Sequence, residues 1–492
     1  MERQPIAELF TLLLAPHAQL HSTLDGTWLI NTPEFRLPLG ALSPALTEAI
    51  STLASAGATE HALARQVLAG AGLGVLTLFQ AHLAHFRQLG LLAYRLDGPA
   101  GPLATGVPLS TAFRLGQTAP AAERFVLSRF SYCHREDDQL VLESSTGQAK
   151  LLIHDPQVGQ LLTALARPCD RTAVAGALPA LDEALADALL LLLHSSGALQ
   201  TCDATGHAPE DDVDALRQWE FHDLLFHSRS RGGRHHNPAG RTFRFRDAIT
   251  PLPNLKPIPT DRPLIPLPQP DMDALAHSDP PLTAVIEQRR SLRESARPPT
   301  LKQLGAFLYR SARVRSLTDV PFHETEGANA GTMELSSRPY PSGGALYELE
   351  LYLSIHRCEG LEAGFYHYEP HAHALTLVRP RDQLVEQLLR HASSATALGH
   401  TPDILITLAA RFQRMSWKYQ SIAYATILKD VGTLYQTMYL VATAMGLSPC
   451  ALGNGNAELF AAAAGTDYYA ESSVGEFLLG GPPADAPGPD GP

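Results

Sequence analysis

No two cysteines of this chain are close neighbours. The five present, Cys133, Cys169, Cys202, Cys358 and Cys450, are scattered and odd in number. Such spacing offers neither a disulfide framework nor a thiolate zinc site, and a reducing cytoplasm is the expected setting. Basic charge is also short: 38 Lys and Arg stand against 50 Asp and Glu, a net charge of −12. A general nucleic-acid binder needs the opposite balance. No apolar run reaches the roughly 18 residues of a membrane span, so no membrane association is expected. The first apolar stretch, FTLLLAPHAQL, is preceded by Glu2 and Glu8 instead of a basic segment, which argues against a secretory signal.

The 492 residues, 45% hydrophobic and 18% charged, have an ordinary globular composition. Their length implies about two to four domains. In residues 1–105, GATEHALARQVLAG and TLFQAHLAHFRQLGLLAYRL carry apolar residues at helical spacing, and Gly90 is a candidate C-cap before a short strand. The same grammar returns in residues 115–205. RFVLSRF and DQLVLESS read as strands, DPQVGQLLTALA and DEALADALLLLLHSSGALQ as helices. Two units of strands plus three helices predict a tandem pair of winged-helix-like modules. Residues 206–275 include DAITPLPNLKPIPTDRPLIPLPQPD, whose irregular prolines predict an extended connector. Residues 483–492 read as a disordered tail.

Residues 276–482 predict an α+β domain. Asp279 and Pro280 read as the N-cap and first position of a helix. ELELYLSI, GFYHYEPHAHALTLV and DILITLAAR predict strands. SIAYATILKDVGTLYQTMYLVATAMGL predicts a long helix with Ile427, Val431, Leu434, Met438, Val441 and Met445 in one stripe. Such a stripe serves either the chain's own core or a dimer.

Several stretches could carry chemistry. EQRRSLRE gathers Arg289, Arg290 and Arg293 around Ser291, with Arg289 and Arg293 at i, i+4 if the helix continues. It reads as an anion site built from guanidinium forks, or as a solvated basic helix end. PSGGALYELELYL brings Pro341, Ser342, Gly343 and Gly344 into a strand; the glycines mark a tight turn or a close approach to something flat. SPCALGNGN offers backbone donors, or is a helix exit with Gly446 as cap. In WKYQS, Lys418 is either a surface lysine beside a packed Tyr419 or a base with a depressed pKa. His222, His227, His235 and His236 lie near Glu220 and Asp223, but His222 and His227 are five apart and share no helix face, so no metal is expected.

In this order, RRSLR, SRPYPSGGALYELELYL, WKYQSIAY and GLSPCALG resemble the signature segments of the SagB-type, McbC-like azoline dehydrogenases, a branch of the nitroreductase-like flavoproteins. The resemblance spans residues 280–482. It implies a nitroreductase-like FMN-binding catalytic domain preceded by peptide-recognition-like modules. It implies that Arg289, Ser291 and Arg293, with Arg290 nearby, hold the phosphate and ribityl side of FMN. Pro341, Ser342, Gly343 and Gly344 would approach the ring, and Ala451, Leu452 and Gly453 would present backbone N–H groups to it. Lys418 and Tyr419 would be catalytic. The long helix keeps the family's Gln436 and Tyr439, but has Thr433 where His is usual and Thr437 where Asn is usual. Glu348 stands where Pro is usual. The implied reaction is oxidation of a peptide thiazoline or oxazoline to the azole. The implied partners are a precursor peptide with leader and azoline-containing core, a cyclodehydratase, molecular oxygen as electron acceptor, and a second copy of the chain. The alternatives are an NAD(P)H-dependent nitroreductase or quinone reductase, and a non-catalytic scaffold.

Overall fold

Antiparallel pairing organises both halves of the chain. The computed structural model describes residues 6–321, 332–396 and 399–483. It divides into two units, Met1–Pro238 and Ala239–Pro492. Apart from Pro483, the expected tail lies outside the described residues.

In the first unit, strand Phe10–Leu14 pairs with Ala58–Thr59 on one side and Leu92–Gly98 on the other. Helix Pro44–Leu53 starts on Ser43, whose hydroxyl accepts the Leu46 N–H. Helix Glu60–Gln88 starts on Thr59 in the same way and is interrupted at Gly72, with φ 78° and ψ −176°. By length and composition this helix could cross a membrane, which the sequence did not lead us to expect. The Gly72 break leaves two segments, each shorter than the ~20 residues a span requires. Gly90, with φ 68°, then turns the chain into the hairpin of Leu92–Gly98 and Gly101–Pro108.

The second module repeats the scheme. Helices Pro156–Ala164, Arg171–Ala177 and Glu183–Ser195 are capped by Asp155, Asp170 and Asp182. Gly197, with φ 82°, leads into strand Leu199–Cys202, which pairs with Arg124–Leu127. The modules are nonetheless not separate bodies. Gly101–Pro108 pairs with Ala149–Ile153, so one seven-stranded sheet runs through both. One apolar cluster reaches from Phe10 to Leu199.

The second unit is a seven-stranded antiparallel sheet in the order Leu264–Pro266, Ala374–Pro380, Gly364–Glu369, Leu349–Ile355, Ile404–Arg411, Glu471–Gly480 and Ser448–Leu452. Leu349–Ile355 and Ile404–Arg411 are buried at every residue, as expected of central strands covered on both faces. Helix Ala423–Ala444 buries Ile427, Val431, Leu434, Met438 and Ala442 in this unit's core. The stripe therefore closes the chain's own core, with Val441 and Met445 half-buried against it and Ala442 buried beside them.

Two local expectations are corrected. Asp279 ends helix Met272–Ser278 and pairs with Arg310; the next helix, Leu282–Gln288, begins after Pro281. The boundary between the two units falls inside the expected connector, whose proline-rich part is hydrogen-bonded within the second unit. Residues 206–238 belong to the first unit and 239–275 to the second. In the second unit Leu264–Pro266 forms an edge strand, where a proline is tolerated. Trp417 Nε1 donates to Ile249 O at 2.6 Å. Buried Arg414 donates to Leu252 O at 2.6 Å and, through Nη2, to Leu346 O at 2.7 Å. Asn254, also buried, donates to Leu346 O at 3.2 Å.

Arg414 thus clamps the proline-rich strap to the segment that follows Gly344. Arg414→Leu strands the Leu252 carbonyl without its donor and leaves Leu346 O with Asn254 alone, at about 1–3 kcal/mol for a buried group left unpaired. A lower melting temperature and faster proteolysis within residues 246–254 are the expected outcome.

Candidate active site

Three stretches meet the long helix. The first is Pro341–Leu346. Thr433 Oγ1 donates to Pro341 O at 2.9 Å. Asp430 Oδ2 accepts the Ser342 hydroxyl at 2.9 Å and the Gly343 N–H at 2.8 Å. Gly344 has φ 62°, and Ala345 and Tyr347, at 56° and 46°, are also left-handed, a costly conformation for side-chain-bearing residues. A Cβ on Gly343 would collide with the Thr426 methyl and lie 3.0 Å from Met415 Cε. One on Gly344 would collide with the Tyr419 hydroxyl and lie 2.8 Å from Lys418 Nζ. The glycines are thus required by the chain's own side chains, whatever else approaches them.

The second stretch follows the short helix Phe412–Ser416. Lys418 is buried, donates from Nζ to Gly344 O at 3.3 Å and stands 5.5 Å from the centre of the Tyr419 ring. Burial lowers its pKa, and Arg241 and Arg414 lower it further. Burial raises that of Tyr419. Lys418 opens on a cavity of about 560 Å³, which Arg241, Phe243, Arg246, Met333 and Leu335 also line.

The third stretch is gathered by Tyr439. Its hydroxyl accepts the Ala451 N–H at 2.7 Å and shares a hydrogen bond with the Ser291 hydroxyl, also at 2.7 Å. The Arg289 guanidinium stands 5.3 Å from the ring centre. Leu292 N donates to Pro449 O at 2.8 Å, fastening RRSLR to strand Ser448–Leu452. Arg289 is the cap of helix Leu282–Gln288, so Arg289 and Arg293 do not share a helical turn. Arg293 lies near Cys450, whose thiol is pushed up by burial and drawn down by that charge. Arg290 faces a separate cleft of about 450 Å³ with Glu287, Leu292 and Thr443.

SPCAL is a strand and not a loop, and the Ala451 N–H is already taken. Leu452 is buried beside it; Gly453 is exposed with nothing within 4 Å of a Cβ placed on it. Exposed Gln436 lies between the two groups, three residues from Thr433 and three from Tyr439. Asp430 and Tyr439 are roughly 14 Å apart along the helix axis. No carboxylate among the described residues pairs with Arg289, Arg290 or Arg293. Arg289 and Arg293, with the Ser291 hydroxyl, are donors of the kind that suits a phosphate, while Arg290 faces the separate cleft.

Two acids that the sequence reading did not place in the site lie under it. Glu348 is fully buried, 3.3 Å from Ser342 Oγ, with one carboxyl oxygen unpartnered. Burial and the neighbouring Asp430 raise its pKa to about 8, and burial raises that of Asp430. Asp430 was legible: it is an acid on the apolar face that holds Ile427, Val431 and Leu434. The histidine-rich stretch disperses instead. His236 meets Glu34 at 3.2 Å, His227 stacks on Trp219, and His222 joins only exposed Glu220 and Asp223. His134, Glu136 and Glu143 form a second group of ligand type, in which Glu143 is bound by Arg229 and Glu136 by Lys150.

Comparison with known proteins finds matches along most of the chain. The profile of the ThcOx helix-turn-helix domain matches residues 6–117, that of the cyanobactin oxidase ThcOx residues 125–236, and that of the nitroreductase family residues 286–480. A nitroreductase-type protein of Methanocaldococcus jannaschii is 29% identical over 185 residues, which are 37% of this chain and 81% of that one. The microcin B17-processing protein McbC of Escherichia coli is 35% identical over 116 residues, 22% of this chain and 42% of McbC. A nitroreductase-type structure from Ralstonia eutropha aligns with a TM-score of 0.35 at 22% identity, covering 51% of this chain and all of that one.

The buried acid pair has a pH signature. An ordinary glutamic acid titrates near 4.5, and folding raises Glu348 to about 8. Between these values only the folded chain holds the proton. The contribution to stability is therefore complete below about 4.5 and is lost as pH rises to about 8. Glu348→Gln, which cannot ionise, should flatten the profile of melting temperature against pH across that window.

Proposed function

We propose that this chain, whose residues 286–480 match the nitroreductase family and whose residues 6–117 and 125–236 match the ThcOx helix-turn-helix and cyanobactin oxidase ThcOx profiles, oxidises thiazolines or oxazolines in a ribosomally made peptide to the aromatic azoles. The observation that carries this reading is Lys418: a buried amine with a lowered pKa, next to Tyr419 and the Gly344 carbonyl, facing a cavity. Aromatising an azoline removes a proton from Cα and a hydride from Cβ. Lys418 takes the Cα proton as general base. Tyr419 orients the ring and keeps its own proton, in line with its raised pKa. FMN supplies the two-electron acceptor when bound. Arg289, Ser291 and Arg293 hold its phosphate side, with Arg290 nearby. Pro341–Gly344 and Gln436 border the ring side, and the segment of Ala451, Leu452 and Gly453 supplies backbone donors, Ala451 through its tie to Tyr439.

The remaining partners follow from the same reading. The substrate is a precursor peptide whose leader engages the N-terminal unit. A cyclodehydratase supplies the azoline, and molecular oxygen is the final electron acceptor. The chain acts as a homodimer: Leu282, Ile286 and Leu428 leave an apolar surface on the catalytic unit, exposed at 65%, 50% and 40%.

Lys418→Ala should lower azole formation by ~10²–10⁴-fold, the usual worth of a general base, while flavin absorbance stays unchanged. The check is mass spectrometry of an azoline peptide, following the loss of two hydrogens; conversion at the wild-type rate would refute the assignment. Arg289→Ala combined with Arg293→Ala should release flavin on dialysis, since each charge-assisted bond is worth about 1.5–3 kcal/mol. Full yellow colour after dialysis would place the phosphate elsewhere.

A further inference from the structure

The cavity at Lys418 is walled by a segment outside the expected catalytic domain. Gly240–Arg241 pairs with Tyr419–Gln420 as a two-stranded ladder that sets Arg241 opposite Tyr419. Phe243 N donates to Lys418 O at 3.4 Å, and its ring packs edge-on against Trp417 at 5.7 Å. Arg241 and Arg246 line the cavity along with Lys418, and Asp247 is the single acid among its lining residues. Met333, Leu335 and Val320 supply apolar lining to the same cavity.

No carboxylate among the described residues pairs with Arg241 or Lys418, both of which line the cavity. Lys418 already gives a bond to Gly344 O, and its amine is held toward the neutral form. Arg241 is exposed and presents a planar donor fork that matches a carboxylate. We infer that Arg241 is a specificity-determining residue: it takes a carboxylate of the azoline peptide, on an acidic residue neighbouring the ring, while the apolar lining receives an adjacent side chain. This rests on the azoline reading above and names the substrate class for the same site.

The test uses the flavin-loaded full-length protein and two synthetic thiazoline peptides that differ only in Glu or Gln next to the ring. Wild type should prefer the Glu peptide by ~10-fold or more in kcat/KM. Arg241→Gln should bring the ratio of the two substrates close to one, and Arg241→Lys should restore part of it. Flavin absorbance and melting temperature report whether each variant is folded. Equal kcat/KM for the two peptides in wild type, or a preference that survives Arg241→Gln, overturns the proposal and leaves the azoline reading standing. Should wild type oxidise neither peptide, the azoline reading fails. Calorimetry then decides the carboxylate question alone: tighter binding of the Glu peptide that Arg241→Gln abolishes supports it, and equal binding overturns it.

Discussion

The candidate site depends on one buried carboxylate. Asp430 Oδ2 accepts both the Ser342 hydroxyl and the Gly343 N–H, and so ties a strained loop to the middle of the long helix. Asp430 faces the core with Ile427 and Val431 because the helical repeat puts it there. An acid on such a face is costly unless it is hydrogen-bonded. The loop supplies the donors, and the Glu348 carboxyl lies beneath, 3.3 Å from the same Ser342 hydroxyl. The Asp430 bonds hold Gly343 and Gly344 where Thr426, Tyr419 and Lys418 can touch them.

Behind the loop, the sheet carries a polar layer that keeps it in register. His367 lies between Glu350 at 3.0 Å and Glu369 at 2.8 Å. Burial alone would lower its pKa, but the two carboxylates raise it to about 9. Burial would raise the carboxyl pKa of Glu350, yet His367 and Arg411 hold it at about 2. Arg411 reaches Glu350 through its side chain and the Glu348 carbonyl through its N–H at 3.0 Å. Removing one member would leave an uncompensated charge, which is far more costly than the pair. The layer therefore fixes where strand Leu349–Ile355 starts, and with it the exit of the glycine loop.

Tyr439 plays the matching part at the other end of the helix. One hydroxyl bridges Ser291 and Ala451, segments 160 residues apart in the chain. The anion-type donors and the small-residue strand are thereby brought to the same flank as Gln436. The spacing between the Asp430 and Tyr439 groups is set by helix geometry alone, so a rigid element positions both ends of the site.

The sequence alone determined the elements and their kind. Alternating and continuous apolar runs marked the strands of the catalytic unit, and the 4–3–4–3 spacing marked the long helix, because side-chain periodicity follows directly from backbone geometry. The order of RRSLR, PSGGALY, WKYQS and SPCALG made the superfamily legible. Tertiary structure decided what each residue meets. Whether Gly344 faces a ligand or Lys418 cannot be read from spacing, because the contact is made across 74 residues. The fate of the proline-rich strap was equally hidden: its order comes from donors on Trp417, Arg414 and Asn254, and prolines signal only that no long helix forms. The helix stripe had two possible uses, and only packing chose the chain's own core, since an apolar face records that it must be covered and not by what.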